Sequence, residues 1–133
     1  MPVDSSNPVK KVVLVGHCGP DSSYLRIAVS KAGRDVKVLS ADDSDELKRL
    51  LDGGVDLVLF NRQLDFGFDE REGIALIRSV HLKYPTVKTM LVSNYPEAQE
   101  AAVRAGALPG FGKRDVSTPR VPDLIRSALN AAS

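Results

Sequence analysis

The chain has 133 residues, of which 43% are hydrophobic and 26% charged, a size that supports one hydrophobic core and leaves little for a second domain. Eighteen Lys and Arg against seventeen Asp and Glu give a formal charge of +1, and aromatics make up only 5% without Trp. No general field therefore draws the chain to nucleic acid or an anionic membrane, and the stacking platforms of single-strand binders are excluded. The single cysteine, Cys18, cannot form an internal disulfide, and no N-terminal apolar run has the length of a signal peptide or a spanning helix, so the sequence reads as soluble and cytoplasmic.

Residues 1–9 are rich in Pro, Ser, Asn and Asp and read as a flexible leader ahead of one domain over 10–133. Val12 to Val15 form a β-branched run ending at Gly16, the pattern of a strand buried on both faces. Leu25, Ala28, Val29 and Ala32 recur at helical spacing between Pro20-Asp21 and Gly33. Val36, Val38 and Leu39 give a second strand. Asp43 or Ser44 then caps a short helix carrying Leu47, Leu50 and Leu51, ended by Gly53-Gly54. Val55 to Phe60 is the third strand; after a loop from Asn61 to Glu70, a helix buries Ile74, Ile77 and Val80 and stops at Tyr84-Pro85.

Val87 to Val92 is the fourth strand, and Pro96 opens a helix whose inner stripe is Ala98, Ala101, Ala102 and Ala105. Leu108 to Gly112 is a short edge-like fifth strand holding a proline and two glycines. Thr118-Pro119 or Pro122 starts the last helix, with Val121, Leu124, Ile125, Ala128 and Leu129 turned inward. Five strands alternating with five helices predict an α/β fold: a doubly wound, five-stranded parallel sheet in a flavodoxin-like three-layer sandwich. Ligands of such sheets sit above the carboxyl ends of the strands, which here carry Gly16, His17 and Cys18, then Asn61, then Ser93 and Asn94, then Lys113.

The order of these elements from Lys10 to Leu129 resembles the receiver domain of bacterial response regulators, the phosphorelay module of two-component systems. In that family an acidic pair follows the first strand, and aligning a helix-one glycine on Gly33 puts the pair at Gly16 and His17. The phosphoacceptor ends a run like Asp-Leu-Val-Leu-Leu-Asp; Asp56 to Asn61 reads Asp-Leu-Val-Leu-Phe-Asn, with an amide at the acceptor position. Glu72-Gly73 resembles the family's Asp-Gly after a loop a few residues longer than usual. Ser93 falls where receivers have Ser or Thr, Ala105-Gly106-Ala107 matches Ala-Gly-Ala, and Lys113 matches the active-site lysine, although Arg114 replaces the proline that follows it. The switch aromatic falls on Gly110, beside Phe111.

The resemblance thus implies a degenerate pseudo-receiver pocket formed by Gly16, His17, Asn61, Ser93 and Lys113. Magnesium needs oxygen ligands, which glycine lacks and histidine supplies poorly, and a neutral amide cannot become an acyl phosphate. Three carboxylates and a lysine sum to −2 in the family's pocket; Lys113 alone gives +1 here. The expectation is no catalysis, no metal and no cofactor, but a phosphorylation-independent module for protein-protein interaction with other signalling proteins or a second copy. Neither nucleic acid nor membrane is an expected partner. Arg120 and Arg126 are candidates for the rim of that surface.

An anion held by Lys113, Ser93 and Asn61 with the first donors of helix one is an alternative use of the pocket. Asp65 or Asp69 folding back onto Lys113 is the bland counterpart, and a displaced acceptor at Asp65 is a third reading. The rival from another class is a small flavodoxin-like ligand or nucleotide binder. Gly16-His17-Cys18-Gly19, however, is only G-x-x-G and lacks the dinucleotide fingerprint. Adjacent His17 and Cys18 point to opposite faces of an extended segment, which disfavours a shared metal, and no orienting acid marks Cys18 as a nucleophile. His81 belongs on a solvated helix end, and Asp42, Asp43, Asp45 and Glu46 belong on a solvated surface.

Overall fold

A computed structural model describes residues 9–17, 19–33, 35–64, 67–68 and 71–130. The leader over 1–8, Cys18, Asp65 and Asp69 lie outside the described residues. Five strands, β1 (Lys10–Val15), β2 (Val36–Ala41), β3 (Leu57–Asn61), β4 (Lys88–Val92) and β5 (Leu108–Phe111), alternate with α1 (Gly19–Ala32), α2 (Ser44–Asp52), α3 (Gly73–Lys83), α4 (Pro96–Arg104) and α5 (Arg120–Asn130). The strands form one sheet in the order β2-β1-β3-β4-β5, every neighbouring pair parallel. The doubly wound flavodoxin-like architecture read from the sequence is the one observed. Among the described residues no helix is long and apolar enough to cross a membrane.

Period-two alternation divides the core. Val12, Leu14, Leu57, Leu59, Met90 and Val92 face α1 and α5, whereas Val13, Val15, Val58, Phe60 and Leu91 face α2, α3 and α4. The predicted inner stripes are in place, with Leu50, Ile74, Ala101 and Leu124 only partly buried. Asp43 is the N-cap of α2: its carboxylate accepts from Glu46 N at 2.7 Å, while Glu46 reaches back to Asp42 N at 2.9 Å.

Some boundaries differ from the sequence reading. β3 starts at Leu57, not Val55; at Asp56 a side chain enters the pairing with β1, its carboxylate accepting from Lys11 N at 2.8 Å while its own N–H donates to Lys11 O at 3.0 Å. β4 starts at Lys88, since Val87 N bonds Tyr84 O at 3.0 Å within the preceding turn. A short 3₁₀ turn over Lys113–Asp115 precedes α5.

The edge pair is irregular. Met90 pairs with Leu108 and Val92 with Phe111, so β5 carries one extra residue as a bulge. On the α1/α5 face, Arg126 donates to Ala32 O at 2.9 Å and Lys31 O at 3.1 Å, satisfying the last carbonyls of α1. Arg126 also bonds Asp123 at 2.7 Å, so this rim candidate is at the same time a clamp between the first and last helices, and it lines the groove that Tyr24 and Ile27 border.

Candidate functional site

The carboxyl ends of β3, β4 and β5 meet in an open cleft of about 260 Å³, into which Asn61, Ser93 and Lys113 all turn. Arg62 and Tyr95 complete its walls, with the Arg62 guanidinium 4.9 Å from the centroid of the Tyr95 ring. Three of the five sequence-selected residues therefore share one wall set. Gly16 and His17 are close by but do not line that cleft.

Asn61 ends β3, where the chain leaves the sheet for the long loop. Its amide Nδ2 donates to Gly16 O and to Gln63 O, both at 3.0 Å, joining the end of β1 to the start of the loop. Gly16 has φ of 75°, and a Cβ placed on it would lie 2.5 Å from Leu64 Cδ2. Both facts favour glycine at that position.

The His17 imidazole turns inward, its Nε2–H donating to Leu59 O at 2.9 Å, while Nδ1 is buried without a hydrogen-bond partner among the described residues. Burial lowers the His17 pKa below its usual value, and nearby Lys113 lowers it further; the Leu59 bond and Asp21 act in the opposite sense without reversing the shift. His17 is a neutral packing residue in this arrangement.

Lys113 Nζ lies 2.9 Å from Asp21 Oδ2, in the first turn of α1. Asp21 is the carboxylate that meets Lys113 among the described residues; Asp65 and Asp69, the loop candidates for that pairing, lie outside them. Ser93 is buried, and its hydroxyl accepts from Tyr95 N at 3.2 Å. Behind it, Gln99 of α4 inserts its amide between β4 and β5. Nε2 lies 2.9 Å from Leu91 O, 3.1 Å from Ser93 O and 3.3 Å from Phe111 O, and Oε1 accepts from Gly110 N at 3.1 Å. A Cβ on Gly110 would overlap Leu91 O and crowd Gln99 Oε1, so the position aligned with the switch aromatic has no room for a side chain.

Asp21, Arg62, Leu64, Tyr95 and Gln99 are among the site residues that the sequence reading did not select. Leu64, Phe66 and Phe68 make the loop unusually apolar, and that signal was legible. Gln99 interrupts an alanine stripe. Nothing in the sequence pairs Asp21 with Lys113, which are distant in the chain.

No family model matches the sequence, and no curated protein matches it. Solved structures do. The chain is similar to the signal receiver domain of an HD domain-containing protein from Pseudomonas fluorescens, with a TM-score of 0.75, 21% identity and coverage of 97% of this chain and 93% of that one. A response regulator from Thermotoga maritima gives a TM-score of 0.74 at 20% identity, covering 92% and 99%. The fold is that of response-regulator receiver domains. The response regulator RcsB of Salmonella typhimurium, a structure described for its DNA interaction, gives 0.68 at 16% identity. The match covers 83% of this chain and 55% of the RcsB chain, so this chain spans about half of that protein's length.

The magnesium ion that the receiver resemblance implies does not fit the residues present. At the ends of β1 and β3 the receiver fold would need carboxylate oxygens, but Gly16 offers none and His17 is turned inward onto Leu59. Asn61 presents an N–H₂ group to two carbonyls. No group of three or more His, Cys, Asp or Glu side chains is arranged to hold a metal among the described residues.

Proposed function

We propose that this receiver-fold chain is a phosphorylation-independent protein-protein interaction module of signal transduction, in which Asn61 occupies the phosphoacceptor position and no residue is catalytic. The Asn61 amide carries this reading: it donates to Gly16 O and Gln63 O, so an aspartate there would set its charge against two carbonyl oxygens. The amide is neither a nucleophile for phosphoryl transfer nor a magnesium ligand in this orientation.

The fixed geometry around Gln99 supports the same reading, since Ser93 and Phe111 are tied into one hydrogen-bonded unit without a moving aromatic. For the partner, the exposed side chains Tyr24 (57%) and Ile27 (53%) on α1 border a groove of about 330 Å³ that continues to Pro119 and Pro122. Such a surface suits another signalling domain or a second copy better than nucleic acid, in keeping with the +1 net charge.

Incubation with acetyl phosphate and magnesium is expected to leave the intact mass unchanged. A hydroxylamine-sensitive adduct on any aspartate overturns the reading. An anion in the cleft is the second reading, favoured because Arg62 and Lys113 both line it; the anion would compete with Asp21 for Lys113. On that reading inorganic phosphate raises the melting temperature, and Arg62→Ala removes the rise.

A further inference from the structure

We infer that Leu64, after β3, is a built-in stopper: it fills the volume that a side chain at position 16 would need, closing the carboxyl end of β1 to a divalent cation by packing and not only by absent acids. This inference rests on the phosphorylation-independent reading and adds a cause to it.

Leu64 is 8% exposed and belongs to the same buried cluster as Phe60 and Ile77. Its Cδ2 stands 2.5 Å from where a Gly16 Cβ would be, a separation that carbon atoms do not reach. Although Cδ2 is the far end of a side chain that can rotate, rotation needs space, and Leu64 is enclosed by core residues.

The backbone around it is pinned at both stems of the loop. Leu64 N donates to Arg71 O at 2.7 Å, Gln63 bridges antiparallel to Glu72, and Gly73 N donates to Arg62 O at 2.8 Å. Farther out, Phe68 is buried in the same core, and Ser44 N donates to Gly67 O at 2.9 Å, fixing the loop tip to the start of α2. The Asn61 amide completes the seat: by bonding Gly16 O and Gln63 O together it draws the residue preceding Leu64 down over β1. The longer loop and the bare Gly16 are thus two halves of one packing solution.

The test keeps Asn61 and the whole chain. Gly16→Ala and Leu64→Ala are each expected to lower the melting temperature, and the double variant to lose less than the sum of the two single losses. A double variant melting at or below the sum of the single losses overturns the inference. In a second arm, Gly16→Asp/His17→Asp is titrated with manganese chloride with Leu64 intact and with Leu64→Ala. A manganese-dependent rise in melting temperature is expected only in the Leu64→Ala background. An equal rise in both backgrounds, or none in either when circular dichroism shows both folded, overturns the cation clause. Neither arm involves phosphodonor. Its failure therefore leaves the proposed function standing, whereas an adduct on the unmodified chain would remove that function first.

Discussion

The two sides of the cleft are held by opposite chemistry. On the β1/β3 side, the apolar side chains Leu64 and Phe68 fill space beneath a loop. On the β4/β5 side, the Gln99 amide satisfies carbonyls and an N–H left over by the bulge in β5. An apolar filler is judged by volume, so a substitute of similar shape serves. A polar brace is judged by the placement of each donor and acceptor, and even an isosteric change can reverse its sign.

The largest loss should come from the filled side. Phe68→Ala empties a site that is 6% exposed and is expected to cost about 3–5 kcal/mol by urea denaturation, whereas Leu64→Met, which keeps volume, should cost less than about 1.5 kcal/mol. On the braced side, Gln99→Ala should cost about 1–3 kcal/mol, because Gly110 N and the facing carbonyls lose their partner in a partly buried setting. Gln99→Glu, almost the same shape, should be worse than alanine, since a carboxylate would face carbonyl oxygens. If the glutamate variant matches the wild type, the contrast between filler and brace is wrong.

Smaller still is a pH effect. The His17 pKa is lowered in the fold, so as pH falls below the unfolded value of about 6.5 the unfolded chain takes up the proton before the native state does. The His17 contribution to stability is present above that value and is lost as pH falls towards the folded pKa. Denaturation midpoints measured across this window should fall with pH in the wild type and more shallowly in His17→Gln. The smallest change is Asp21→Asn, which removes a partly exposed ion pair to Lys113 and should cost about 0–1 kcal/mol, screened further by salt.

The elements were legible because strands buried on both faces leave β-branched runs and helices leave spaced apolar stripes, as in Val12 to Val15 and Leu25 to Ala32. The positions of Asn61, Ser93 and Lys113 followed from strand ends, so their meeting in one cleft could be anticipated. What surrounds them could not. Asp21 reaches Lys113 only once α1 and α5 are packed together on one face of the sheet, and the bonds of Gln99 exist only because the bulge sets Leu91 O and Phe111 O within reach of one amide. Loop residues such as Leu64 acquire burial from distant strands, and periodicity does not record that. Arg126 shows the same limit: the family resemblance made it a rim candidate, and nothing in the sequence announced its bonds to the carbonyls of α1.

That last contact has a mechanical consequence. One guanidinium ties the end of the first helix to the middle of the final one, so a load applied along α5 has a direct route to the last turn of α1 and the α1–β2 corner. Hydrogen exchange in the last turn of α1 should then report strain imposed on α5, and Arg126→Ala should silence that report.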